Sequence, residues 1–161
     1  MKTSELLAED SGADRERRRA LNALKEELAE RAMSFLNRSA SKPSKMGDKQ
    51  IRNLVALAQM AVCPLEIEAF IDYQMGRDDK EESWSEKIDG TPFGERLKKE
   101  IREIVDRAGK KRPEDRRFAL LCLAQFFGYL SWRVKYLDYQ KDNPARGGGE
   151  RSGVHSRSSV R

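Results

Sequence analysis

The sequence predicts an all-α fold, a single compact bundle of about five helices with a long, apolar C-terminal helix. Three observations predict it. Apolar residues recur at spacings of three and four, the period of a helix with one buried face. No segment alternates long enough to form a half-buried strand. Proline, glycine and short polar clusters divide the periodic stretches into about five pieces. A chain of 161 residues fits one core, because compact domains cluster at roughly 100–150 residues. With 38% hydrophobic and 37% charged residues, that core is expected to be thin.

Residues 1–14 read as a disordered acidic lead, closed by Ser11 or Asp14 as a helix N-cap before the charged run Arg15 to Arg19. The bundle domain then spans 15–141. Its first helix runs to about Asn37, with Leu21, Leu24, Leu28, Ala32 and Phe35 on one face. Arg38 to Gly47 is a polar connector carrying Arg38, Lys42 and Lys45. Asp48 caps a second helix from Lys49 to Val62, whose apolar side is Ile51, Leu54, Val55, Leu57, Ala58 and Ala61. Pro64 opens the first turn of a third helix, which buries Leu65, Ile67, Phe70, Ile71 and Met75. Asp78 to Gly90 is an acidic surface loop anchored by Trp84 and Ile88. Thr91 caps and Pro92 begins a fourth helix, with Phe93, Leu97, Ile101, Ile104 and Val105 inward and Gly109 at its end. The last helix runs from Pro113 to about Lys141, and its middle, Phe118 to Trp132, is apolar nearly all round, so it is expected at the centre. Residues 142–161 form a Gly/Ser/Arg tail read as disordered, holding the only histidine, His155.

Composition and spacing give no support to catalysis. General acid–base and nucleophilic chemistry usually recruit a histidine, a cysteine or paired carboxylates in a cleft, and the sole histidine lies in the tail. Cys63 and Cys122 sit among apolar helical neighbours and read as buried free thiols, which implies a reducing, cytoplasmic setting. Asp78, Asp79, Glu81 and Glu82 lack the spacing of a calcium loop. Gly147 to Gly149 follow no strand and precede no Lys-Ser/Thr pair, so no phosphate loop is expected. No cofactor or metal is implied. No run reaches the ~20 apolar residues of a membrane span, so no membrane partner is expected.

The formal charge of +5 and the basic pI favour a polyanionic partner. Lys42, Lys45, Lys49 and Arg52 run from the connector into the second helix, where their side chains and free backbone amides can meet on one phosphate. The plainer reading leaves the lysines solvated and pairs Arg52 with an acid. Phe126, Phe127, Tyr129, Trp132, Tyr136 and Tyr139 can stack bases, but most belong to the core of so apolar a helix, with Tyr136 and Tyr139 as exceptions near its polar end.

Lys49-Gln50-Ile51-Arg52-Asn53-Leu54-Val55-Ala56-Leu57 resembles the Gln-Ile-Arg-Asn helix start of the small helical subunit of type III-A (Csm-type) CRISPR effector complexes. Two further segments follow in the family's order. Phe70-Ile71-Asp72-Tyr73-Gln74-Met75-Gly76-Arg77-Asp78 resembles its aromatic-rich helix ending in Gly-Arg-Glu, and Ala119 to Cys122 through Tyr129 to Lys135-Tyr136 resembles its closing helix. The resemblance implies a non-catalytic bundle, present in several self-associating copies as an inner filament. Such a subunit packs against the other CRISPR effector subunits and lines the groove holding crRNA paired with target RNA. It assigns RNA contact to Gln50 and Arg52, to Arg77, and to Lys135 and Tyr136; Lys45 and Lys49 join them from the basic helix start. The chain departs from the family in a longer first helix, an acidic insertion over 78–90 and an added tail. The rival reading is a helical protein–protein adaptor without RNA contact, whose apolar last helix docks a partner.

Overall fold

A computed structural model describes the backbone of residues 2–144 and the side chains of residues 12–144. The fold is all-α: α1 (Lys2–Phe35), α2 (Asp48–Met60), α3 (Leu65–Gly76), α4 (Phe93–Lys111) and α5 (Arg116–Asp142). A 3-10 turn at Ser39–Ser41 and a hairpin of β1 (Lys87–Ile88) and β2 (Thr91–Pro92) complete it. The expected tail falls mostly on 145–161, outside the described residues, as does His155.

Long-range pairs fix the helix directions. Arg17 of α1 donates to Asp115 ahead of α5 at 3.0 Å, while Arg133 near the other end of α5 donates to the carbonyls of Leu36 and Asn37, so α1 and α5 run parallel. α4 returns antiparallel to α1, with Arg31 on Glu100 and Arg107 on Glu27, each at 3.0 Å. α3 is clipped to α4 by Lys98 on Asp72 and Arg102 on Glu68. The Asp72 hydrogen bond outweighs burial and raises the Lys98 pKa, keeping it charged. α2 runs antiparallel to α5: Gln59 and Val62 share a cleft with Leu121 and Ala124, and Lys42, just before α2, reaches Asp138 at 3.1 Å. The bundle thus has an Asp115 end and a Lys135 end.

The core follows the expected stripes. Leu24, Leu28, Ala32 and Phe35 of α1, Ile51, Leu54 and Ala58 of α2, Ile67 and Ile71 of α3, and Phe93, Leu97, Ile101 and Ile104 of α4 are buried. They close around Phe118, Leu123, Phe126, Phe127, Leu130 and Val134 of α5. Phe35 packs edge-on against both Phe93 and Phe126, with centroids 5.7 and 6.5 Å apart, a preferred aromatic geometry.

Several expectations need correction. Helical backbone begins at Lys2, not near Arg15; only Gly12 in that stretch is a poor helix former, too weak alone to stop the helix. α5 starts at Arg116 because the Asp115 carboxylate caps it, accepting from the Phe118 amide at 3.0 Å, and Pro113 lies in the preceding turn. The acidic segment holds a hairpin, since Asp89 and Gly90 both take positive φ (52° and 85°), the requirement of a two-residue turn that matches strand twist. Thr91 therefore pairs in β2 and does not cap α4. Loop carbonyls serve instead: the amides of Phe93 and Gly94 donate to Glu86 and Trp84 at 2.9 and 2.8 Å. Leu65 and Trp132 are exposed, and Cys63 is only half-buried. Cys122 is buried as expected, and burial pushes its thiol up to about 12.

Asp115 ties three elements together, accepting from Arg17, from Arg112 at 2.8 Å and from the α5 amide. Burial raises its pKa, but these donors prevail and hold the carboxyl below its ordinary 3.8. The stability it contributes is therefore complete above that ordinary value and is lost as pH falls through the depressed folded value. Asp115→Asn is expected to cost about 1.5–3 kcal/mol at pH 7 and to flatten the acid limb of stability, read as urea midpoints from pH 7 to pH 2.

Candidate nucleic-acid interface

The structure gathers the sequence-predicted residues at the Lys135 end, but on two flanks of α2. Gln50 faces the acidic segment: its side-chain amide donates to Ser83 Oγ at 3.1 Å, and Ser83 in turn donates its backbone amide to Asp78 at 3.1 Å. Arg77, next to Asp78, closes α3 on that same flank, with its guanidinium over the Tyr73 ring at 5.4 Å. Lys45 belongs there too, its amide donating to the Glu82 carbonyl at 2.9 Å while its side chain stays exposed.

Arg52 lies two residues beyond Gln50, about 200° round the helix at 100° per residue, and so faces away from that flank. Gln59, seven positions on and on the same face, lines the cleft with Leu121 and Ala124 of α5. Lys135 follows Leu121 by two heptads along α5, so Arg52 and Lys135 border one α2–α5 groove. Lys49, Lys135 and Tyr136 are exposed.

Burial of α5 against α1, α2 and α4 leaves one outward strip at this end. Trp132 is 69% exposed, Tyr136 47% and Tyr139 48%. Spacings of four and three put them on one face beside Lys135. Arg133 anchors the strip, donating to the Leu36 carbonyl at 2.8 Å while its guanidinium lies over the Tyr136 ring at 5.3 Å. Phe126 and Phe127 belong to the core and Tyr129 is half-buried. Trp132 was legible as a surface residue from its register with Tyr136 and Tyr139, a signal that the apolar stretch around it obscures.

The four-cation phosphate site at the start of α2 is not assembled. Lys42 turns inward, donating to the carbonyls of Pro43 and Met46 and pairing with Asp138. Arg52 pairs with Asp48 one turn earlier at 3.2 Å, an exposed i,i+4 pair of about 0.3–0.5 kcal/mol that an incoming phosphate can replace. Gln50 spends its carbonyl on the Gly47 amide at 2.6 Å, making the helix cap that Asp48 was expected to supply. Asp48 within the first turn also repels an anion. Segments 38–52, 77–89 and 135–142 hold ten basic side chains and nine carboxylates, so this end carries little net field, and specific side chains must do the gripping.

Among the described residues no group of three or more His, Cys, Asp or Glu is placed to hold a metal ion. Nor is any helix among them long and apolar enough to cross a membrane. Compared with family models, curated proteins and solved structures, the chain matches none.

Because Gln50 is bound at both ends of its amide and Lys49 at neither, their truncations should separate. Gln50→Ala is expected to cost about 1 kcal/mol and lower the thermal midpoint, whereas Lys49→Ala stays within ~0.5 kcal/mol of wild type.

Proposed function

We propose that this protein is a non-catalytic RNA-binding subunit, the small subunit of a type III CRISPR ribonucleoprotein effector. It holds the backbone of crRNA and target RNA and packs against neighbouring subunits in antiviral defence. The observation that carries the reading is the outward strip of α5, where Trp132, Tyr136 and Tyr139 stand beside Lys135 and face the groove bordered by Arg52. A soluble bundle has no folding reason to leave three aromatics on one exposed face, and large exposed apolar patches usually mark interaction surfaces. The resemblance supports it as well: its matched positions in α2, α3 and α5 all come to the Lys135 end.

The mechanism is electrostatic and stacking. Lys49, Arg52 and Lys135 neutralise phosphates and release counterions, giving salt-sensitive, sequence-independent affinity. Aromatic faces receive bases at about 1–3 kcal/mol each. Base pairing between guide and target reads the sequence, so no base-edge contact is required of the protein. Lys45, Gln50 and Arg77 on the other flank touch a second stretch of the backbone or a neighbouring subunit.

The adaptor reading has one observation in its favour. Met60, Val62 and Leu65, at 83%, 76% and 70% exposure, crowd the α2–α3 corner, an apolar knob suited to a protein partner. The two readings separate on RNA binding. The combined change Lys49→Glu, Arg52→Glu and Lys135→Glu is expected to weaken binding of a labelled single-stranded RNA at least ~10-fold at 50 mM salt and to flatten its salt dependence by about 2 in log–log slope, with helicity intact by circular dichroism. Unchanged affinity would leave the adaptor.

A further inference from the structure

The Asp115 end of the bundle is far more positive than the Lys135 end. Segments 14–19 and 106–117 lie about 90 positions apart in sequence yet meet here, with Arg17 on Asp115 at 3.0 Å, Arg112 on Glu16 at 3.4 Å and Arg117 near Asp14 at 3.9 Å. Together these segments hold ten basic side chains against five carboxylates, an excess equal to the formal +5 of the whole chain. Three of those carboxylates, Asp14, Glu16 and Asp115, are already engaged by Arg17, Arg112 and Arg117. Arg15, Arg18, Arg19, Lys110, Lys111 and Arg116 are exposed and have no ion pair among the described residues.

Folding does not account for this surplus. Lys110 and Lys111 suit the C-terminal dipole of α4. Arg116 and Arg117 stand in the first turn of α5, where the helix dipole is positive and a cation is disfavoured. Like charges crowded at one end lower the stability of the compact state, so a partner of opposite charge is the physical reason to keep them. A cleft of about 450 Å³ opens among these residues, floored by Cys63, Pro64, Leu65 and Val105 and edged by Arg112 and Arg116. Cations at the rim with an apolar floor suit a strand whose phosphates lie outside and whose unstacked base turns in.

We infer that the Asp115 end is a second nucleic-acid surface, which holds the phosphates of a single-stranded segment on Arg15, Arg18, Arg19, Lys110, Lys111 and Arg116 with a base in the adjoining cleft. From Arg116 to Lys135 along α5 is about 28 Å at 1.5 Å per residue, so one subunit touches nucleic acid at two separate places. The inference rests on reading the partner as RNA, but not on the α2–α5 groove.

The test uses the full chain, a labelled unstructured 30-nucleotide RNA and two matched charge reversals. Lys110→Glu with Lys111→Glu is expected to weaken binding at least ~10-fold at 50 mM salt. Lys80→Glu with Lys87→Glu, the same change in net charge on the acidic segment, is expected to stay within ~2-fold of wild type. Equal losses in the two pairs would mean a general field and overturn the inference, as would wild-type binding by the first pair. The cleft has its own reporter in Cys63, because the buried, protonated Cys122 does not compete for a thiol reagent. Saturating RNA is expected to slow N-ethylmaleimide modification of Cys63 at least ~3-fold, and an unchanged rate also overturns the inference. Neither readout moves if only the α2–α5 groove fails, so the two proposals fall separately.

Discussion

The packing of Phe126 against Phe35, and of Phe35 against Phe93, is the contact on which the rest of the molecule depends. It joins α5, α1 and α4 at one point with no polar atom among the rings. Trp84 adds a fourth ring against Phe93 and draws the acidic segment onto the bundle. Once these rings are in place, α5 has α1, α2 and α4 around it and only one side left for solvent. Every unburied aromatic in its second half is thereby forced onto the same strip, so the burial that stabilises the fold also composes the candidate interface.

Charge is distributed on a second logic, along the bundle axis. At the Lys135 end acids and bases nearly balance, and several cations are occupied: Lys42 in backbone carbonyls, Arg38 on Asp89, Arg133 on the end of α1. At the Asp115 end Arg17 and Arg112 converge on a single carboxylate, and many cations around them are left over. Buried or bidentate pairs of the first kind hold elements in register. The surplus at the second end has no such duty. Structural and binding charges are thus distinguished by whether a carboxylate or carbonyl already answers them.

Local chemistry made much of this fold legible. The three-and-four spacing of Leu24, Leu28, Ala32 and Phe35, and of Phe93, Leu97, Ile101 and Ile104, is sufficient to orient α1 and α4. Pro64 marked the bend between α2 and α3 because its ring constrains φ wherever it stands. What escaped depends on partners remote in sequence. Nothing near Lys42 announces that Asp138 awaits it, and nothing near Gln50 announces Ser83. The hairpin was missed although Asp89-Gly90 carries its signal, because strands of two residues leave no alternation to read. For the site, residue types and their common end were legible from the motif, while the division of Gln50 and Arg77 from Arg52 and Lys135 required the helix packing.

The central claim is that RNA lies along the exposed strip of α5. Photocrosslinking of a 4-thiouridine-containing RNA to the protein, with the adducts located by peptide mass spectrometry, tests it most directly. The account predicts adducts on Trp132, Tyr136 or Tyr139. RNA that binds and crosslinks only to the exposed faces of α3 and α4, leaving the α5 strip unmodified, would contradict it.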